Sequence, residues 1–189
     1  MVLAHYASKL PKKNFSCLTR LDQNRAVAHI ANKLNKANEE VKNVIIWGNH
    51  SSTQYPDVNF GHVGGHKIKE LMKDSITYLE GEFIDKIRKR GADIIAARKL
   101  SSSMSAAKAV VDHIRDWYNG TNEGEFVSMG VISDGKKYGI EEGLCYSFPC
   151  KTKNFEYEVV DLELDEFSKS MLEATKKELL EEKDDAFSS

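Results

Sequence analysis

Cysteine is scarce in this chain. Cys17, Cys145 and Cys150 are its three, an odd number without a C-x-x-C pair, so neither a disulfide framework nor a cysteine-based metal site is expected. Reduced thiols of a cytosolic protein fit better. An excess of charge of one sign is also lacking: 27 basic and 29 acidic residues leave a net charge of −2. The charges are spread along the sequence and give no reason to expect nucleic acid or an acidic membrane surface as a partner. No apolar run is long enough to span a bilayer, and the segment Met1 to Ala7 is too short in apolar residues for a signal peptide. The expectation is a cytoplasmic protein with no membrane partner. Internal repeats and low-complexity segments are missing. So is a Gly-x-Gly-x-x-Gly turn after a strand, together with any βαβ series to carry one. The chain therefore has no evident place for a dinucleotide.

What remains is a chain of 189 residues, long enough to bury a core of its own and read as one domain. Residues 14–35 have the spacing of an amphipathic helix, with Asn14 or Ser16 able to cap it and Leu18, Leu21, Ala28 and Ile30 on its apolar side. Val44 to Trp47 is a short apolar run, a buried strand, which Gly48-Asn49 ends. The polar stretch Ser51 to Gly65 reads as a surface loop bordering whatever site His50 serves, in a lid or wall role. Helical spacing returns from Lys67 to Tyr118, with Ile84, Ile87, Ile94 and Ile95 on one pattern and Ala106, Ala107, Val110, Val111 and Ile114 on another. Gly91 marks a break or a close approach within it, and Gly120 is placed to end the last helix in a left-handed turn. Phe126 to Ile132, Leu144 to Cys150 and Phe155 to Val160 read as antiparallel strands, joined by a turn over Ser133 to Lys136 and a connection over Lys151 to Asn154. A charged amphipathic helix closes the chain from Asp165 to Phe187, with Phe167, Met171, Leu172, Leu179 and Leu180 inward. Helices around a meander of antiparallel strands give an α+β architecture.

Three residues stand out chemically. Asp22 and Arg25 are three apart, so on a helix they project from one face and can line one cavity. An arginine presented to a pocket offers a planar fork matched to a carboxylate. An aspartate bonded to imidazole Nδ1–H leaves Nε2 free and stabilises the protonated ring, which would make His50, at the strand end, a usable acid and base near neutral pH. Together they suit removal of a proton from an anionic hydroxy acid. Spacing alone also allows a surface ion pair and a structural histidine. His62 and His66 have H-x3-H spacing but sit among glycines without a third ligand, so a solvated loop is expected rather than a metal site. The basic cluster Lys86, Arg88, Lys89 and Arg90 shares its helix with Glu80, Glu82 and Asp85 and reads as an exposed face. Ser101, Ser102 and Ser103 are poor helix formers inside a helical pattern, which suggests a packing or ligand role.

These segments also carry a resemblance. Leu18 to Arg25 (Leu-Thr-Arg-Leu-Asp-Gln-Asn-Arg), Val44 to Asn59 (beginning Val-Ile-Ile-Trp-Gly-Asn-His-Ser-Ser-Thr-Gln), Arg98 to Lys108 and Gly124 to Gly135 together resemble the cytosolic type of malate dehydrogenase over essentially the whole chain. The resemblance implies NAD-dependent interconversion of malate and oxaloacetate, with His50 taking the hydroxyl proton, Asp22 orienting His50, Arg25 gripping the substrate carboxylate and Ser101 near the substrate. It implies a homodimer, with the first helix and the helix around Gly91 at the interface. It also implies a lactate/malate dehydrogenase C-terminal fold without the Rossmann domain. Met1 aligns just after the Asn-Pro-x-Asn-Thr-Asn segment that ends the family's nucleotide-binding half. That half holds most of the NAD site and the mobile loop with two substrate-binding arginines, so the 189 residues are expected to form a single catalytic domain, weakly active or inactive alone. The loop from Phe60 to His66 is shorter than usual. Two other readings stay open: a lactate dehydrogenase on the same scaffold, because the discriminating loop lies outside the chain, and a truncated non-enzymatic homologue that pairs with a full-length subunit.

Overall fold

The structure, a computed structural model, describes residues 1–188. A short helix α1 (Val2–Tyr6) precedes strand β1 (Ser16–Cys17) and helix α2 (Arg20–Leu34). Strands β2 (Val41–Lys42), β3 (Ile45–Trp47), β4 (Tyr55–Asp57), β5 (His62–Val63) and β6 (His66–Lys67) come next, then helices α3 (Ile68–Leu71), α4 (Ile76–Leu79), α5 (Glu82–Arg98) and α6 (Ser103–Asn119). Strands β7 (Val127–Ile132), β8 (Cys145–Lys153) and β9 (Glu156–Val159) and helix α7 (Glu166–Phe187) complete an α+β fold.

The main sheet has four strands in the order β1-β7-β8-β9, with every pairing antiparallel. The expected meander is its β7-β8-β9 part. The hairpin β3-β4 joins it through reciprocal backbone bonds of Gly48 with Ser147, 3.1 and 2.8 Å long. Between these layers lies the core, in which Ile30, Ile45, Ile46, Trp47, Phe83, Tyr146 and Phe148 are almost wholly excluded from water. Each such aliphatic side chain contributes about 1.5–3 kcal/mol through burial. The Trp47 indole keeps its polar edge satisfied by donating Nε1–H to Asp57 at 3.0 Å. No helix among the described residues is long and apolar enough to cross a membrane.

Several expectations need correction. The first long helix begins at Arg20, because Ser16 and Cys17 pair with Val131 and Gly130 as an edge strand instead. Its N-cap is Thr19, whose hydroxyl is engaged by Ser147 Oγ at 2.8 Å and caps nothing. The stretch 51–65 is not a loop throughout: Tyr55 to Asp57 form a buried strand against β3, and His62 and His66 lie on the hairpin β5-β6, turned by Gly64 and Gly65 at φ of 57° and 87°. The helical stretch breaks at residues 99–102, where Lys99 takes φ 58°, and α5 runs unbroken through Gly91. Nor does Gly91 make a close approach: a Cβ there would meet the two terminal guanidinium nitrogens of Arg25 at 3.7 Å, an ordinary contact distance. Gly120 does end α6, with φ 97° and ψ 162° rather than a left-handed helical geometry. β8 continues to Lys153, and Asn154-Phe155, both at positive φ, make the tight turn into β9. Most unexpected is α6, which buries Asp112 and His113 and leaves its apolar Val110, Val111 and Ile114 exposed.

Candidate active site

Two elements from distant parts of the sequence deliver the site. Helix α2 is set by Gln23, buried, whose side-chain amide donates to Val44 O and accepts from Ser128 N, both at 3.0 Å. Its start is fixed by an ion pair, Arg20 Nη1 to Asp116 Oδ2 on α6 at 2.7 Å. The second element is the end of β3, where Gly48 turns the chain so that His50 faces back over α2.

There the three expected residues meet. His50 Nδ1 lies 2.6 Å from Asp22 Oδ2, and Arg25 Nη1 donates to Asp22 Oδ1 at 3.1 Å. The burial is unequal: the Asp22 side chain is 2% exposed and that of His50 64%. A desolvated carboxylate thus grips one ring nitrogen while the rest of the ring faces solvent. This contact is the main reason that the His50 pKa is raised; burial and the nearby Arg25 charge oppose it. Because the folded value lies above the ordinary 6.5, the pairing contributes stability that is fully present below that pH and is lost as pH rises through the folded pKa. An NMR titration of the chain should find the His50 midpoint above 6.5. In Asp22→Asn, where the Arg25 charge has no carboxylate to offset it, the midpoint should fall below that of the unsubstituted chain. A midpoint unmoved by the substitution would show that the contact does not govern the ring.

His50, Arg25, Ser51, Gln54, Arg88, Gly91 and Ala92 line a cleft of about 270 Å³. Ser101 is not brought into it; it lies exposed in the link between α5 and α6. Three contributors escaped the sequence reading. Gln54, buried, donates its amide to Asp22 Oδ2 at 2.9 Å, giving the carboxylate a third donor. Arg88 was expected on an exposed face, but its guanidinium is half-buried and clamps the His50 loop by donating to Gln54 O at 2.6 Å and Thr53 O at 3.1 Å. Lys86, Lys89 and Arg90 do point outward. Glu178 on α7 accepts from Ser51 and Thr53 hydroxyls and from Asn49 Nδ2, so the final helix fastens the same loop from the other side. No local spacing announces these contacts, which span up to 129 residues.

The cleft can therefore hold and deprotonate a hydroxyl group, with a cation alongside to hold an acid. Every strand pairing among the described residues is antiparallel.

Comparison with known proteins places the chain in a family. Residues 19–189 match the family described as lactate/malate dehydrogenase, alpha/beta C-terminal domain. The chain is 56% identical to "Malate dehydrogenase, cytoplasmic" of Felis catus over 96% of its own length and 55% of the relative's. It is 54% identical to a malate dehydrogenase of Nicotiana tabacum, covering all of this chain and 58% of that one. Among solved structures, malate dehydrogenase from Naegleria fowleri superposes with a TM-score of 0.88 at 38% identity, over 95% of this chain and 55% of that one. A Trichomonas vaginalis lactate dehydrogenase in complex with NADH and oxamate superposes at 0.89 with 33% identity, over 96% and 56%. The chain thus spans a little over half the length of the relatives it matches. By sequence and by fold, this chain belongs to the lactate/malate dehydrogenase family as its alpha/beta C-terminal domain.

Proposed function

We propose that the chain is the catalytic half of an NAD-dependent malate dehydrogenase, acting on malate and oxaloacetate in the cytoplasm, where several of its relatives are named as residing. The observation that carries the reading is the 2.6 Å contact between the buried Asp22 carboxylate and the exposed His50 ring. With Nδ1–H directed at Asp22, Nε2 is left to accept the malate hydroxyl proton, and Asp22 stabilises the imidazolium that results. In the reverse direction the same nitrogen returns the proton. Arg25 has one terminal nitrogen on Asp22, and its Nε is buried without a partner. The unused donors of the fork suit a substrate carboxylate. Ser101 belongs to the proposal as a substrate contact made when a second wall covers the cleft. Bound NAD would supply the hydride acceptor. Its pocket would come from a nucleotide-binding half outside these 189 residues, so this chain's share of the reaction is substrate orientation and proton transfer.

Met104, Val111, Ile114 and Tyr118, all exposed along α6, support pairing with another folded surface, as a homodimer or with a full-length subunit. Light scattering after size exclusion should show association; a monomer that ignores the full-length protein would oppose it.

NADH oxidation with oxaloacetate, measured for the purified chain beside His50→Asn, tests the main reading. Alone, the two should be indistinguishable. With a nucleotide-binding half fused or added, the unsubstituted chain should gain activity that His50→Asn lacks, and failure to gain it counts against the proposal. The ratio of oxaloacetate to pyruvate turnover in the restored enzyme separates malate from lactate dehydrogenase.

A further inference from the structure

On the outer part of the main sheet, away from the His50 cleft, two cysteines 128 residues apart come together. Cys17 Sγ lies 3.3 Å from Cys145 Sγ, with Cys17 exposed and Cys145 partly so. They stand on strands that are not neighbours: Cys17 on β1 faces Gly130 of β7, and Cys145 on β8 faces Ile132 of β7. Side chains on alternate strands normally meet only over the residue between them. Here the residue beside Cys17 is Gly130, whose partner on β8 is Ser147, so Cys17 reaches Cys145 diagonally across β7; a Cβ added to Gly130 would lie 2.8 Å from Cys17 Cβ. The bare middle strand leaves the space in which the two thiols touch. The same two segments are already tied further along, where Thr19 Oγ1 and Ser147 Oγ, each two residues beyond its cysteine, are 2.8 Å apart in the interior. Closing a bond at the cysteines would therefore tighten an existing join. β1 is only two residues long and lies at the sheet edge, so it can give the small movement that bonded geometry requires.

We infer that Cys17 and Cys145 form a reversible dithiol–disulfide pair, oxidised by hydroperoxides, with Cys17 as the attacking thiol and Cys145 as the resolving one. The roles follow from exposure and from the contact itself. The S–H of Cys145 donates to Cys17, which holds the Cys17 thiol down at about 6, while Cys145 is pushed up. A thiolate is the nucleophile in such chemistry. In the first step Cys17 Sγ attacks one peroxide oxygen; the O–O bond breaks, Cys17 becomes the sulfenic acid, and the other oxygen leaves as water after taking up a proton. In the second, Cys145 gives up its proton as its sulfur attacks Cys17 Sγ, the S–O bond breaks, and a second water leaves. Two thiols are oxidised and one hydrogen peroxide is reduced to two waters; with an organic hydroperoxide the first water is replaced by its alcohol. Cys150 is fully buried with its thiol pushed up by desolvation, and it takes no part. The inference is independent of how the cleft is used.

The test uses the full chain, fully reduced, then exposed to a modest excess of hydrogen peroxide. Expected are the loss of two of its three thiols to a thiol reagent, a fall in intact mass by two hydrogens, and a linked peptide pair containing Cys17 and Cys145, all reversed by dithiothreitol. Cys150→Ser should behave in the same way with one thiol fewer. In Cys145→Ser, which keeps the size of the side chain, the disulfide should be lost and Cys17 should be trapped as sulfenic acid by dimedone. An unchanged mass would overturn the inference. So would direct passage of Cys17 to the sulfinic acid in the unsubstituted chain, or a disulfide formed only between chains.

Discussion

His50→Asn, in the chain restored with a nucleotide-binding half, is expected to lower kcat for oxaloacetate reduction by about 10²–10⁴-fold, the usual contribution of a positioned general acid or base. KM should change far less, because in the proposed reaction the imidazole would handle a proton and Arg25 the charge of the acid. Asp22→Asn should come close to the same loss by another route. The amide cannot balance an imidazolium, and it can present its NH₂ to Nδ1, which favours the tautomer with its proton on Nε2. The two variants differ in what pH does to them. His50→Asn should leave a flat residual rate, whereas Asp22→Asn should keep a titrating histidine whose pKa has moved down, in the direction opposite to the upward shift caused by Asp22. Arg25→Lys provides the contrast: an ammonium cannot reproduce the planar fork, so the expected damage is mainly to KM. A His50→Asn enzyme within a few-fold of the unsubstituted rate would remove His50 from the chemistry.

How much of this was readable beforehand depends on the range of the interaction. Asp22 and Arg25 were legible as a pair because helical geometry fixes what lies three residues along, and His50 because an apolar run ending in Gly48-Asn49 places it at a strand end. That these meet depends on Gln23 locking α2 to Val44 and Ser128, a contact made by a buried amide at a position that looks surface-like in sequence. The same blindness put Arg88 on an exposed face: its helix is charged on several sides, and only the carbonyls of Thr53 and Gln54, some 34 residues away, explain why it turns inward. Strand β1 was missed because two residues carry no period, and its existence depends on an edge of β7 that the chain builds more than 100 residues later. The exposed apolar side of α6 is the opposite case. Its apolar residues keep helical spacing, yet periodicity alone does not say which face turns inward, and this domain packs Ala109, Asp112 and His113 against its interior.

Gly48→Ala should unfold roughly 5–15 °C below the unsubstituted chain, on the scale of about 2–4 °C per kcal/mol for a domain of this size. Two costs add. Gly48 sits at φ 84°, where a side chain meets its own backbone, at about 1–2 kcal/mol. The new Cβ would also fall 2.1 Å from Thr175 Oγ1 and 2.3 Å from Thr175 Cγ2, an overpacking of about 1–3 kcal/mol. The strand cannot slide away cheaply, because both backbone groups of Gly48 are paired with Ser147. Nor can α7 retreat without releasing Thr175 Oγ1 from Asn49 N and Glu178 from the loop that carries His50. Thr175→Ala removes the atoms in closest conflict but forfeits the hydrogen bond to Asn49, so it should destabilise alone and yet cost less in the Gly48→Ala background. Thermal unfolding of the four proteins in that cycle gives the coupling directly. A double variant no more stable than the sum of its parts predicts would show that backbone strain, rather than contact with α7, sets the need for glycine at the turn into His50.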